Sequence, residues 1–179
     1  IDPKGDLATI TAARRGQGSE HSTGMNQDVY VLDPFEVTRG AAISYRSSFN
    51  PMDMIDTSSL HGRDDAALLA DAMIIPSQTE SYWTDAAKML LTGMILYVAG
   101  SFQAEERTLL KVRDCLTAAP DDFDEILADM AVSHIAGGVV SRAAHTLVAM
   151  SERERASILS TAIVQTDFLD SAAMRSVLR

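Results

Sequence analysis

The longest apolar pattern in the chain lies between Trp83 and Phe102. Apolar residues recur there every three and four positions, and from the middle onward they occupy nearly the whole circumference of a helix. A helix that is apolar on most sides must be buried by several partner helices. The continuous apolar part is shorter than the ~20 residues that cross a bilayer, and Asp85 and Lys88 precede it by one turn. The pattern therefore predicts the central helix of a soluble bundle.

Helical periodicity and cap residues predict the elements around this central helix. One helix begins at Asp64 or Asp65 and ends at Pro76. Later helix starts carry cap residues: Thr108 as a single N-cap, and Asp122 with Glu125 and Ser151 with Glu154 as capping boxes. Gly137 and Gly138 separate the helix that opens at Asp122 from the next predicted helix, Val139 to Met150. Six or seven helices are predicted in all, which makes the chain mainly α.

Residues 1 to about 55 have a different character. A strand end at Ile1 is followed by a tight turn and a helix that ends at Arg15. The run from Val29 to Leu32 is apolar and β-branched, and Asp33-Pro34 stops it, as is typical of a buried strand. Strand, helix and strand in this order indicate a parallel α/β unit. Two strands cannot form an independently stable sheet, so this unit requires more strands.

Composition and motifs give no support for a catalytic or metal site. The 179 residues carry a formal net charge of −10, which disfavours non-specific binding to nucleic acid. Cys115 is the only cysteine, and its apolar helical setting predicts an inert buried thiol. His134 is predicted to be a core residue, and the histidines have no metal-ligand spacing. No GxxxxGK[ST] phosphate loop occurs. No catalytic residue and no metal site is therefore predicted.

The turn from Asp2 to Asp6 is the one candidate for chemistry. An acidic residue at a strand end, followed by glycine and an acidic helix start, places polar groups at the carboxyl edge of an open α/β sheet. Pro3 fixes the turn and Gly5 permits a positive φ. On spacing alone, a simple strand-to-helix connection is the favoured interpretation.

Several segments resemble the TraG/TraD-type coupling proteins of bacterial type IV secretion and conjugation. In chain order they are IDPKGDL, VYVLDPF, FNPMDMI, YWTDAAKMLLTGMILYV, ERERASILSTA and FLDSAAM. Their order and separation match that family over nearly the whole chain. Members of the family are membrane-anchored, hexameric ATPases related to RecA-like DNA translocases.

The resemblance implies that this chain lies between the Walker A loop and the Walker B strand of such an ATPase. Residues 1–55 would be part of the RecA-like α/β nucleotide-binding domain, residues 56–170 an inserted all-α domain, and residues 171–179 the return to the first domain. The expected parent is an inner-membrane protein with this region in the cytoplasm. The chain by itself is expected to be a soluble monomer without enzymatic activity.

The resemblance also assigns expectations to individual positions. The family's DPKGE/D turn, near the nucleotide side of the sheet, is matched by Asp2, Lys4, Gly5 and Asp6. Many members have Glu where this chain has Asp6. Positions expected to be structural are Asp33, Pro34, Asn50, Pro51 and Trp83.

Partners and cofactors are likewise implied by the resemblance. The inserted domain is expected to dock relaxase–DNA complexes, effector proteins or their adaptors, so that single-stranded DNA is engaged indirectly. Other subunits of the hexamer are expected partners of the full-length protein, and ATP with Mg²⁺ its cofactors, whereas this part of the protein binds no cofactor. One alternative is a DNA-binding or hexamer-regulating helical module. Another is an unusual nucleotide hydrolase that uses Asp2, Lys4 and Asp6, which the missing phosphate loop disfavours.

Overall fold

The computed structural model of the protein describes residues 2–20, 22–76 and 81–179. The chain divides into two compact units, one formed by residues up to Phe49 with Ala172–Arg179, the other by Asn50–Ser171. The helices are α1 (Asp6–Arg15), α2 (Gly62–Met73), α3 (Ser81–Ser101), α4 (Leu109–Leu116), α5 (Pro120–Ala131), α6 (Ile135–Val148), α7 (Glu152–Gln165) and α8 (Ala172–Val177). The predicted mainly helical character is confirmed. The assignment of the units to domains of an ATPase stays a prediction.

The first unit contains α1, α8 and little regular sheet. Strands β1 (Gly18–Ser19) and β2 (Ser22–Thr23) form a short antiparallel pair. A 3-10 turn over Gly40–Tyr45 packs on α1. The predicted strand end at Ile1 lies outside the described residues.

The predicted buried strand from Val29 to Leu32 is wrong. Its backbone makes one isolated parallel bridge, in which the Val31 N–H donates to the Tyr45 carbonyl at 2.9 Å and the Val31 carbonyl accepts from the Ser47 N–H at 3.0 Å. Tyr30 is 76% exposed and Leu32 49%. A strand depends on the neighbour with which it pairs, and the described residues offer this run no longer ladder. A RecA-like sheet is therefore not seen here.

The second unit is built around α3, as the apolar pattern predicts. Every residue from Leu90 to Ala99 is buried. Helices α2, α6 and α7 pack along α3, and α4 and α5 complete the unit. Helix α2 begins at Gly62 rather than at Asp64 or Asp65 and ends before Pro76. Both ends lie within about one turn of the predicted bounds. None of the helices in the described ranges is long and apolar enough to cross a bilayer.

Two of the three predicted helix caps are confirmed. The Thr108 side chain accepts from the Lys111 N–H at the start of α4, and Ser151 with Glu154 forms a capping box on α7. The capping box predicted at Asp122 is wrong. Helix α5 begins earlier, at Pro120, with Ala119 as an N-cap that makes no side-chain bond. Proline favours the first helical position, where its missing N–H costs nothing.

The segment that follows α5 corrects a third prediction. Helix α5 ends at Ala131, so His134 does not continue its apolar face, and its side chain is exposed rather than in the core. The break predicted at the two glycines is confirmed: Ala136, Gly137 and Gly138 all have left-handed backbone angles, and regular helix follows them. Cys115 is buried as predicted, and burial raises the pKa of its thiol.

Candidate functional site

The turn before α1 is fixed by its own backbone and by a close neighbour. The Gly5 N–H donates to the Asp2 carbonyl at 3.1 Å, and the Asp2 carboxylate accepts from the Ala8 N–H at 2.9 Å. Gly5 has φ +68°, and a Cβ at this position would lie 3.0 Å from atoms of Val37 and Thr38. Both the backbone angle and the lack of space therefore require glycine. Lys4 and Asp6 are exposed.

The segment that touches Gly5 is held by Asp33, another position that the sequence marks. The Asp33 carboxylate, 3% exposed, accepts from the Val37 N–H, the Thr38 N–H and the Thr38 hydroxyl, and pairs with Arg46 at 3.1 Å. Burial alone would raise the pKa of Asp33, but the bonds from Thr38 and Val37 and the charge of Arg46 hold it below its ordinary value of 3.8. The structure thus brings the Asp2–Asp6 turn and Asp33 into one neighbourhood.

Several polar groups of this neighbourhood are already used in bonds within the first unit. The Gly5 N–H and both marked carboxylates, Asp2 and Asp33, already bond within the unit. A phosphate site needs several backbone N–H groups that converge on one anion. The roles of Lys4 and Asp6 stay predictions.

The other marked positions lie in the second unit, except Pro34, which follows Asp33 and is half-buried. The Asn50 side chain accepts from the Met52 N–H and donates to the Arg107 carbonyl and to Asp53, so it anchors the 3-10 turn that Pro51 begins. Trp83 is half-buried and stacks edge to face with Tyr82 at a centroid distance of 4.9 Å.

The second unit also carries an open cleft that the sequence does not reveal. It measures about 560 Å³ and lies between α2, α3 and α6. Its charged lining consists of Arg63, Asp71, Asp85, Lys88 and Arg142, and its remaining lining of Ala67, Met89, Thr92, Val139, Ala143 and Thr146. We call this site the α2–α3–α6 cleft.

Contacts within the unit fix the shape of the α2–α3–α6 cleft. Lys88 pairs with Asp71 at 2.7 Å and so joins α3 to α2. Helices α3 and α6 approach closely, because a Cβ on Gly93 would lie 2.5 Å from the Ala143 side chain. Arg142 donates to the Gly137 carbonyl at 3.1 Å. The packing of three helices therefore sets the shape of the cleft.

A comparison with known protein families shows to which family the chain belongs. Residues 1–178 match the family model described as "Type IV secretory system Conjugative DNA transfer". The chain belongs to this family. The resemblance to coupling proteins of type IV secretion is thereby confirmed. No curated protein and no solved structure matches the chain.

The charge of this conjugative-transfer protein is unevenly divided between its units. Residues 50–171 contain 19 Asp and Glu against 8 Lys and Arg, a formal net charge of −11. Residues 1–49 and 172–179 contain 6 Asp and Glu against 7 Lys and Arg. The acidity thus belongs to the unit with the cleft. Within the described residues, no group of three or more His, Cys, Asp or Glu side chains is placed to hold a metal ion.

Proposed function

We propose that the all-α second unit docks proteins that are delivered by the conjugative DNA-transfer system. The α2–α3–α6 cleft carries this proposal: it is an open, mixed polar and apolar site of a size that binds ligands, in a chain of the conjugative-transfer family. The partner classes are a relaxase that brings its DNA, an effector protein or an adaptor. ATP, Mg²⁺, a hexameric assembly and an inner-membrane anchor belong to the proposal for the full-length ATPase.

The buried ionisable side chains of both units support binding rather than catalysis. Asp33 is saturated with hydrogen bonds, and Arg113 is 5% exposed and bonded to the end of α7 and the turn that follows it. The pKa of the buried Cys115 thiol is raised by burial, which suppresses the nucleophilic thiolate. Asp33 and Arg113 therefore have structural tasks.

The charge of the second unit favours a protein partner over bare DNA. A net charge of −11 over residues 50–171 repels phosphates at long range. DNA that is covalently or tightly attached to a protein is still deliverable, because the protein makes the contact. This supports docking of a relaxase, effector or adaptor.

Site-specific crosslinking in donor cells tests the proposal. A photoreactive amino acid replaces Thr146, which is exposed and lines the cleft, in the full-length protein. The control carries the same amino acid at Asp114, an exposed position on α4. We expect Thr146 to crosslink, during mating, to a protein that itself reaches the recipient, and Asp114 not to do so. Crosslinks from Thr146 to subunits of the same ATPase alone would instead support the hexamer-regulating alternative.

A further inference from the structure

We infer that the α2–α3–α6 cleft binds a peptide segment of its partner through one acidic side chain, which Arg142 and Arg63 receive. The rest of that segment is neutral or basic, with small apolar side chains against the floor of the cleft. This inference rests on the proposed docking function and specifies the chemistry of the docked segment.

The charge of the cleft is opposite to that of its unit. Three of the eight Lys and Arg residues in residues 50–171 line this one site: Arg63, Lys88 and Arg142. Asp71 is neutralised by Lys88 at 2.7 Å, which leaves two arginines against Asp85. Arg63 has Asp64 beside it at 3.0 Å in an exposed, solvent-screened pair, whereas the described residues show no ion pair for Arg142. A carboxylate is therefore the complementary group.

The hydroxyl groups of the lining are not available to donate to a ligand. The Thr92 hydroxyl donates to the Lys88 carbonyl and the Thr146 hydroxyl to the Arg142 carbonyl, each at 2.8 Å. A threonine has one hydroxyl proton, so both are used. Strong donors in the cleft are consequently the cationic side chains. A guanidinium has five N–H donors and binds a carboxylate with two parallel bonds, whereas Arg142 uses one donor on Gly137.

Arg142 is partly oriented by one hydrogen bond within α6 before any ligand binds. Its partner, the Gly137 carbonyl, belongs to the left-handed run Ala136–Gly138, and Gly138 also accepts from Ser141 on the following turn. A side chain that is already partly oriented loses less conformational entropy on binding. Arg142 is accordingly the main anchor and Arg63 the second.

The surroundings limit the segment to one acidic residue. The field of a unit with net charge −11 opposes a polyacidic peptide, although it tolerates a single carboxylate that reaches the arginines. The floor of the cleft, with Met89, Val139 and Ala143, offers apolar contact to neighbouring side chains. A volume of about 560 Å³ suits a few residues rather than a folded domain.

Fluorescence anisotropy with the 179-residue chain and defined peptides tests the inference. The probe is a labelled Ala-Leu-Ser-Asp-Ala-Leu-Lys peptide with both ends blocked. The comparison peptide has Asn in place of Asp. Because a hydrogen-bonded charge pair contributes about 1.5–3 kcal/mol, we expect the Asp peptide to bind roughly 10-fold tighter or more than the Asn peptide.

Charge-reversal variants locate the contact. Arg142→Glu should weaken binding of the Asp peptide by about 10-fold or more, and Arg63→Glu by a smaller factor. Arg153→Glu makes the same charge change on α7, outside the cleft, and should leave the affinity within about 2-fold, since the long-range effect of one charge is screened. All three arginines are exposed, so the variants should fold, and Arg142→Gln is a milder second test.

Three results would overturn the inference: equal affinity for the Asp and Asn peptides, an equal loss from Arg153→Glu and Arg142→Glu, or tight binding of the Asn peptide once its C-terminus is a free carboxylate. The last result would mean that a chain end is the ligand. The docking function has its own test, the crosslinking from Thr146. Crosslinking from Thr146 to a delivered protein with no preference for the Asp peptide retains docking and rejects this chemistry. Arg142-dependent binding of the Asp peptide without such crosslinks retains this chemistry and rejects the docking function.

Discussion

At the scale of single residues, Asp33 links the stability of the first unit to pH. Its folded-state pKa is lowered, despite burial, by hydrogen bonds from Thr38 and Val37 and by the charge of Arg46. The stabilisation from this carboxylate is therefore fully present above its ordinary pKa of 3.8 and is lost as the pH falls through the lower folded-state pKa. We predict that the amide signals of Val37 and Thr38 titrate in NMR spectra with a midpoint below 3.8.

The variant Arg46→Met supplies the matched comparison. It removes the positive charge while keeping an apolar stem, so the Asp33 midpoint should move upward. Asp33→Asn should abolish this titration and cost about 1–3 kcal/mol, because buried N–H groups lose a charged acceptor. A wild-type midpoint at or above the ordinary value would contradict the role assigned to the Thr38 and Val37 bonds.

Arg113 is the corresponding residue in the second unit. Its guanidinium donates to Asp170 at 2.6 Å, to the Ile163 carbonyl at 2.5 Å and to the Thr166 hydroxyl at 2.9 Å, which joins α4 to the end of α7. We predict that Arg113→Met lowers the free energy of unfolding of this unit by about 2–4 kcal/mol, since buried acceptors lose their donor.

Urea unfolding followed by fluorescence measures this effect, because the single tryptophan, Trp83, lies in the same unit. Asp170→Asn should cost less than Arg113→Met, as the Asp170 side chain is 47% exposed and water replaces part of the interaction. If Arg113→Met unfolds at the same urea concentration as the wild type, the network does not stabilise the unit.

At the scale of elements, the contact between α3 and α6 depends on Gly93. Alanine has the higher helix propensity by about 1 kcal/mol, yet its Cβ would lie 2.5 Å from the Ala143 side chain, far inside van der Waals contact. We predict that Gly93→Ala destabilises the second unit by about 1–3 kcal/mol, as overpacking of a close helix contact does.

A double variant separates packing from propensity. Ala143→Gly removes the clashing methyl group, so Gly93→Ala combined with Ala143→Gly should recover most of the stability lost by Gly93→Ala in a thermodynamic cycle. Additive effects of the two substitutions would show that the helices are not in contact at this point.

Elements whose signals are local could be predicted from the sequence. Helices α2 to α7 follow from apolar spacing, and the caps at Thr108 and Ser151 are defined within four residues of chain. The run from Val29 to Leu32 failed, since a strand depends on a distant partner. The cap at Asp122 failed because Pro120 begins the helix one turn earlier, a second local signal that competes with the first.

The candidate sites show the same limit. The turns at Gly5 and Asp33 are both visible in the sequence, whereas their contact through Thr38 is not. The α2–α3–α6 cleft had no sequence signal, because its arginines lie on different helices and no spacing rule joins position 63 to position 142. Only the packing of α2 and α6 on α3 places them in one site.

At the scale of the whole molecule, the division of charge predicts how the chain interacts with DNA. Residues 50–171 carry a net charge of −11, whereas the other unit has 6 Asp and Glu against 7 Lys and Arg. Non-specific DNA binding comes from neutralised phosphates, and an acidic unit opposes it. We predict no saturable binding of duplex or single-stranded oligonucleotides below about 100 µM protein at ~0.15 M salt, measured by fluorescence anisotropy.

A neutralised variant shows whether the acidic field is the cause. Asp121→Asn, Asp122→Asn and Glu125→Gln remove three exposed carboxylates from α5 without touching the cleft. If repulsion limits binding, this variant should bind DNA several-fold more tightly than the wild type at ~0.05 M salt, and the difference should shrink as salt rises. Tight, steeply salt-dependent binding by the wild type would favour the DNA-binding alternative, because contacts of the first unit would then outweigh the acidic unit.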